Sequence, residues 1–410
     1  MSSTKAIASN HKTSDVLDDV LRAELDRLRS VDLFRQQRVI TPVSAVRVEV
    51  DGRRCVNFSS NNYLGLTHHP RVREAVLGAV TSHGAGAGAA GLITGHTDLH
   101  DQAQRDLARW KNTEHAVLLP SGYQANLATI QTLAGLTQTS AGSLTGVRFL
   151  MDKLVHASLI DAVRATGTAF RVFPHNHLDK LRRLLQDAPA NELQVVLTES
   201  IFSMDGDQAD LVGLARLKRE HPFVLVVDEA HGSGVYGEHG AGLGAELGVA
   251  NSVDVTIVTL SKAIGCGGGA VCASKAFCDL LLNTGRAYIY STAIPPSVAA
   301  GASAALGVMR DEPHHQQRVR DLARHVRDVL TSTGVELPPG DSPIIPIVIG
   351  EARDALRLAE RLKEAGYLTL AIRPPTVAPG ASRLRVTLSS AHSDEDVSGL
   401  LKVLKGVMHG

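Results

Sequence analysis

A chain of 410 residues has room for two or three domains and a substantial core. Lysine plus arginine and aspartate plus glutamate both number 42, so the formal charge is zero, and aromatic residues make up only 4%. That balance argues against a nucleic-acid partner, which calls for a basic surface and base-stacking rings.

No apolar run is long enough to span a bilayer, and residues 1–19 lack the apolar core of a secretory leader. No membrane partner is expected, and the cytoplasm is the expected location. The four cysteines, Cys55, Cys266, Cys272 and Cys278, form no CxxC pair. They are expected to stay reduced, as small apolar residues, and no metal centre is expected.

Residues 14–36 are predicted to form an amphipathic helix, with Val16, Leu17, Val20, Leu21, Leu25 and Leu28 on one stripe. Residues 39–50 alternate as a hairpin or edge strand would. Asn57-Phe-Ser-Ser-Asn-Asn-Tyr-Leu-Gly-Leu66 has little period and many side chains that bond their own backbone, so it is a predicted loop. A helix over 70–81 starts at Pro70. The Gly/Ala-rich stretch 84–95 suggests a tight backbone path before a helix over 97–111, which Thr97 and Asp98 cap. A short apolar run ends at Pro120, and Ser121 caps a helix over 123–134. The free N–H groups at that start suit a phosphate lying against Ser121, Gly122 and Tyr123.

From Phe149 the pattern alternates. Strands are predicted over 149–151, 170–173, 194–198, 223–227 and 253–258, with helices over 158–166, 178–186 and 212–220. This rhythm predicts an α/β fold, a mostly parallel sheet covered by helices, with its site at the carboxyl ends of the strands. Polar residues stand there: Asp152 and His156, Glu199 and Ser203, Asp228 and His231, Thr259 and Lys262. After Pro295-Pro296 come helices over 297–311, 316–333, 353–365 and 393–408, and strands over 344–349, 368–372 and 384–388. The expected organisation is an N-terminal helix and strand segment over 1–56, a large domain over 57–296 and a smaller α+β domain over 297–410.

Lys262 follows the apolar run 253–258 and precedes Gly265 and residues 267–269, all glycine. A lysine at a buried strand end, among hydroxyls and glycines, suits an amine that must lose its proton and attack a carbonyl. Together, a lysine, a carboxylate, two histidines, hydroxyls and a phosphate-ready helix start are the inventory of a pyridoxal 5'-phosphate site.

The chain resembles the α-oxoamine synthases, fold-type-I pyridoxal phosphate enzymes, from about Arg35 onward. The matching stretches are residues 57–66, Ser121-Gly-Tyr-Gln-Ala-Asn126, His156-Ala-Ser-Leu159, Thr198-Glu-Ser-Ile-Phe-Ser-Met-Asp-Gly206, Asp228-Glu-Ala-His-Gly232, Thr259-Leu-Ser-Lys262 and Tyr290-Ser-Thr292. The resemblance implies a fold-type-I transferase with a large sheet domain and a smaller C-terminal domain. Lys262 would carry the cofactor and move the proton at the substrate Cα. Asp228 would pair with the pyridine nitrogen, His231 and either Ser203 or a neighbour with the ring hydroxyl, and His156 would stack on the ring. Gly122, Tyr123 and Thr259 would hold the phosphate or the adjoining ring. Thr292 would reach the cofactor phosphate of a partner subunit, which implies a homodimer with shared sites.

The implied reaction is decarboxylative condensation of an amino acid with an acyl-CoA or acyl carrier protein thioester. Arg385 would bind the amino acid carboxylate. Ile372-Arg-Pro-Pro-Thr-Val377, through Arg373 and Thr376 together with Arg35, looks most like the branch that joins alanine to a pimeloyl thioester in biotin biosynthesis. The alternatives are a sister synthase using glycine or serine with another acyl-CoA, an aminotransferase, and a cofactor-binding subunit without catalysis. Two stretches depart from the family pattern, Ala89-Ala-Gly91 and Gly240-Ala-Gly242, in regions expected near the acyl chain or CoA.

Overall fold

In the computed structural model, which describes residues 13–138 and 144–408, helix α1 (Thr13–Ser30) stops six residues short of the expected end. Asp32 takes φ 57°, and the N–H groups of Leu33 and Phe34 both turn back to the Leu28 carbonyl. That left-handed residue ends the helix where the periodicity alone would continue it. Val16, Leu17, Val20, Leu21 and Leu25 are all exposed on α1. Strands β1 (Ile40–Pro42), β2 (Arg47–Val50) and β3 (Arg53–Asn57) follow as an antiparallel meander.

Helix α2 (Pro70–His83) carries proline in its first turn, and α3 (Asp98–Lys111) opens on a capping box between Thr97 and His100. Then come β4 (His115–Leu119), α4 (Gly122–Ala134), β5 (Gly146–Asp152), α5 (Ala157–Thr166), β6 (Ala169–Phe173), α6 (Leu178–Gln186), β7 (Glu192–Glu199), α7 (Leu211–Glu220), β8 (Val224–Asp228), the short α8 (Leu243–Glu246) and β9 (Val255–Thr259). Strand β10 (Gly269–Ala273) and helices α9 (Lys275–Thr284) and α10 (Arg286–Ile289) complete this part.

These strands form one seven-stranded sheet in the order β4-β10-β9-β8-β7-β5-β6. All its neighbours pair in parallel except at β10, which is antiparallel to both β4 and β9. Alternate residues feed two cores: Val196, Val227 and Val258 point to one face, and Val195, Leu197, Val226 and Ile257 to the other. Sequence patterning does not announce β10, because Gly-Ala-Val-Cys-Ala holds a single β-branched residue. All five of its residues are nonetheless buried. A Cβ on Gly269 would lie 2.6 Å from the Gly122 nitrogen, so glycine lets β10 start against the start of α4.

Helix α11 (Pro296–Asp311) packs on α2 and α3 through small residues; a Cβ on Gly301 would come within 2.8 Å of Val76. Helix α12 (His314–Ser332), β11 (Ile344–Gly350), α13 (Ala352–Glu364), β12 (Tyr367–Leu368), β13 (Leu370–Ile372), β14 (Ser382–Thr387) and α14 (Asp394–Met408) follow. The strand expected over 368–372 is two strands in two sheets. β12 joins β3 in parallel, while β13 pairs with β14, which also pairs with β11. The N-terminal meander therefore shares a sheet with a strand from the C-terminal part.

One polar clamp ties the loop after β7 to the end of β5. His175 Nδ1 lies 2.9 Å from Asp152 Oδ1 and Nε2 lies 2.6 Å from Asp207 Oδ2, with the ring edge on Phe202. Loss of water works against the imidazolium, but the bonds to both carboxylates outweigh it and lift the pKa to about 10. A histidine raised in the folded state stabilises fully below its unfolded value of about 6.5 and loses that contribution as pH rises through the folded value. The melting temperature of the native chain is therefore expected to fall between pH 7 and pH 10 by more than that of His175→Gln. Equal falls in the two proteins would remove the clamp from the account.

Candidate active site

Strands β9, β8, β7 and β5 are neighbours in the sheet, so the polar residues that follow them converge at one edge. Lys262 Nζ lies 2.7 Å from His231 Nε2, and His231 Nδ1 lies 2.5 Å from the Tyr63 hydroxyl. Tyr63 donates to Asn61 Oδ1 at 3.3 Å, and Arg385 Nη1 donates to the same oxygen at 3.0 Å. Burial, then the charges of Lys262 and Arg385, push the His231 pKa well below its usual value. The ring is neutral, and with Lys262 donating to Nε2 the proton sits on Nδ1 and points to Tyr63. Loss of water also lowers the Lys262 pKa to about 8; Asp228 and Glu199 oppose that shift and Arg385 adds to it.

Asp228 is buried at the end of β8. Its Oδ2 accepts from Asn126 Nδ2 at 2.8 Å and its Oδ1 from the Ala230 N–H at 3.0 Å. Asn126 also donates to Ser158 Oγ at 2.9 Å, and Ser158 Oγ lies 2.7 Å from His156 Nδ1. The Ser158 N–H donates to that same ring nitrogen at 3.2 Å, which makes Nδ1 an acceptor. His156 stands as the N-cap of α5 and is an exposed residue whose Nδ1 lies in a part-buried contact with Ser158. Loss of water lowers its pKa, with Asp228 opposing and Lys262 adding.

Glu199 is the cross-strand partner of Asp228 between β7 and β8. It is buried, and its Oε1 has no hydrogen-bond partner. Burial first and Asp228 second push its pKa well above the usual carboxylate range, against Lys262.

The phosphate-ready end is assembled by close packing. Ser121 caps α4 by accepting from the Gln124 N–H at 3.1 Å. A Cβ on Gly122 would lie 3.3 Å from both Cβ and Oγ1 of Thr259, so the start of α4 rests on the end of β9. Thr259 Oγ1 is 2.8 Å from Ser261 Oγ. Tyr123 is exposed, and its hydroxyl donates to Asp161 at 2.9 Å.

These residues fit pyridoxal phosphate. The start of α4 offers N–H groups to a phosphate, and His156 presents an open ring face. Asp228 is a buried carboxylate that forms no ion pair among the described residues, as a protonated pyridine nitrogen requires.

Arg385 lies on β14, is buried, and forms no ion pair with a carboxylate among the described residues. It donates to the Ser203 carbonyl at 2.6 Å and to Thr387 Oγ1 at 2.9 Å. Ser203 is thus brought to the same edge. A cavity of about 1250 Å³ is lined by Asn57, Ser59 and Ser60, by Arg35, Arg38 and Arg373, and by Glu49, Asp51 and Glu360. Arg35 Nη2 donates to the Pro374 carbonyl at 2.8 Å. Arg373 donates to the carbonyls of Asp32 and Phe34, while its Nε is buried without a partner. The Thr376 N–H bonds the Arg373 carbonyl at 3.1 Å, and Thr376 is exposed.

Thr292 is not brought to Lys262 within the chain. It is exposed and forms a bridge with Ala90, beside Gly91, whose missing Cβ leaves room for the Tyr288 hydroxyl. The second departure from the family pattern packs over buried Glu229 and buried Lys111. A Cβ on Gly242 would lie 2.7 Å from Glu229 Oε2, and Lys111 Nζ donates to the Ala241 carbonyl at 2.6 Å.

Tyr63, Asn126 and Ser158 join the site although sequence reasoning assigns them no role, and Glu199 enters there only as a polar strand end. Each of the four lies inside a motif stretch quoted above, which is the one signal that marks them.

Residues 53–404 match the family model for aminotransferase class I and II. An 8-amino-7-oxononanoate synthase from Thioalkalivibrio sulfidiphilus is 41% identical, over 95% of this chain and 97% of the relative. Among solved structures, the serine palmitoyltransferase of Sphingomonas wittichii superposes with a TM-score of 0.88 at 28% identity, covering 97% of this chain and 98% of that one. The 8-amino-7-oxononanoate synthase of Francisella tularensis gives 0.73 at 26% identity, covering 87% and 98%.

Proposed function

The chain belongs to the class I and II aminotransferase family, with the 8-amino-7-oxononanoate synthases it matches along almost its whole length, and from that premise we propose a specific reaction. It condenses L-alanine with a pimeloyl thioester to give 8-amino-7-oxononanoate, carbon dioxide and the free thiol carrier, a step of biotin biosynthesis, with pyridoxal 5'-phosphate as cofactor. The observation that carries the choice of acyl group is the pair Arg35 and Arg373. Both line the cavity that Asn57, Ser59 and Ser60 also line, and neither pairs with a carboxylate among the described residues. A pimeloyl chain ends in a carboxylate that answers them; an apolar tail would leave both guanidiniums unmatched.

Bound pyridoxal phosphate supplies an electron-withdrawing ring that stabilises negative charge at the adjoining carbon. Asp228 would hold the ring nitrogen, His156 the ring face, and His231 with Ser203 the ring hydroxyl. Ser121, Gly122, Tyr123 and Thr259 would hold the phosphate. Arg385 clamps the alanine carboxylate and so orients the Cα hydrogen. Lys262 Nζ removes that proton, since an amine with a pKa near 8 is in part neutral at physiological pH. After the new carbon–carbon bond expels the thiol and carbon dioxide departs, Lys262 returns a proton to the same carbon. Thr376 borders the acyl site through Arg373.

A homodimer completes this reading, with Thr292 reaching the partner's cofactor phosphate. The exposed apolar stripe of α1, and exposed Ile93 and Tyr290 beside Thr292, support it. No helix of the described residues is long and apolar enough to cross a membrane, and all four cysteines are unpaired, in keeping with a cytoplasmic site of action.

The test is Arg373→Ala, with Arg35→Ala as a second variant in case the first loosens the Asp32–Phe34 turn. Charge-assisted bonds of about 1.5–3 kcal/mol predict a KM for pimeloyl thioester roughly 10- to 100-fold higher, with the KM for alanine unchanged. If both variants keep the native KM, the acyl assignment is wrong.

A further inference from the structure

We propose that His69, Glu312 and His315 form a binding site for a divalent transition metal, zinc foremost, at the junction of α2, α11 and α12. His69 is the N-cap of α2, Glu312 the C-cap of α11, and His315 lies in the first turn of α12. One ligand atom from each falls within 4.8 Å of the other two.

The spacing favours a metal over hydrogen bonds. His69 Nε2 is 3.4 Å from both Glu312 oxygens, and His315 Nε2 is 3.4 Å from Glu312 Oε2. That is longer than a good N–H···O bond, which closes at roughly 2.7–3.2 Å. It matches the edge of a zinc tetrahedron, about 3.3 Å when the metal–ligand bonds are about 2.0–2.1 Å.

The satisfaction of the ring nitrogens points the same way. His315 Nε2 is buried and has no hydrogen-bond partner. Such groups are costly to leave unmet. His315 Nδ1 faces Ser390 Oγ at 3.3 Å, which leaves Nε2 as the ligating lone pair and supplies the outer partner that metal-bound histidines use. Arg71 reaches Glu312 Oε1 at 3.7 Å, but its closer bond is to Asp311 at 2.9 Å, and Oε2 stays open to the metal. Side chains 15–29% exposed leave a way in and a fourth position for water.

The site stands apart from the residues assigned to catalysis. Cysteine spacing says nothing of it, because its only local signature is the i, i+3 pair Glu312-Pro-His-His315. Metal there would clamp the turn after α11 to the start of α2. Ser390 extends the link, since its N–H bonds the Tyr63 carbonyl at 2.7 Å.

The experiment is a Co²⁺ titration of tag-free, chelator-washed holoenzyme, read by visible difference absorption and reversed by Zn²⁺, with thermal melts in parallel. One Co²⁺ per chain with a tetrahedral spectrum is expected, together with a higher melting temperature in Zn²⁺. Glu312→Gln and His315→Gln should each weaken binding by more than the about 10- to 100-fold that losing an outer-shell partner costs. The native chain alone decides if a variant misfolds: no stoichiometric Co²⁺ spectrum and no Zn²⁺-dependent melt shift overturn the site. Native-like binding in both variants overturns it as well.

Discussion

Lys262→Ala lowers thiol release from the condensation by at least about 10³-fold, the largest effect expected of any single change. On the proposed reading, the alanine removes the amine that would link the cofactor to the chain and move the Cα proton. It also leaves His231 Nε2 without its donor at 2.7 Å, which breaks the run of bonds through Tyr63 to Asn61. Two readouts separate this from misfolding. Borohydride should join the cofactor to the native chain and not to the variant, by intact mass, while the melting curves stay comparable. Native-like turnover by the variant would strip Lys262 of its role.

Arg385→Ala is expected to reduce kcat/KM for alanine by roughly 30- to 5,000-fold, the equivalent of about 2–5 kcal/mol for one half of a buried charged pair. Arg385 is 7% exposed and no carboxylate meets it in an ion pair among the described residues, so a substrate carboxylate is the natural counter-charge. Part of any loss will be structural, because Arg385 also donates to the Ser203 carbonyl, Asn61 and Thr387. Arg385→Lys keeps the charge and loses the fork, and should recover part of the activity through a lower KM. An unchanged KM for alanine in Arg385→Ala would move the carboxylate site elsewhere.

The parts of the fold set by local period were legible in the sequence. Helix α6 was expected over 178–186 and lies at Leu178–Gln186, and Ser121 and Thr97 cap the helices they precede. Features set by distant neighbours were not. Strand β10 is a strand because β4 and β9 flank it, and Thr369 divides two strands that belong to different sheets. The helix α1 ends at Asp32 through one left-handed residue that no period marks.

The candidate site divides in the same way. Lys262, Asp228, His156 and His231 were visible because each follows a recognisable strand. Tyr63 reaches His231 across 168 residues and Asn126 reaches Asp228 across 102, so only the folded chain pairs them. Glu199 shares its strand end with Asp228, yet the upward push on its pKa comes first from burial, which residue type does not disclose.

The most direct test of the proposed reaction is thiol release by the cofactor-loaded protein over a grid of amino acids and acyl thioesters, with product mass read in the same samples. The account predicts release with L-alanine and pimeloyl-CoA or its carrier-protein thioester, and a product with the mass of 8-amino-7-oxononanoate. Release only with serine or glycine and an apolar acyl chain, or no release with any thioester on either carrier, would contradict it.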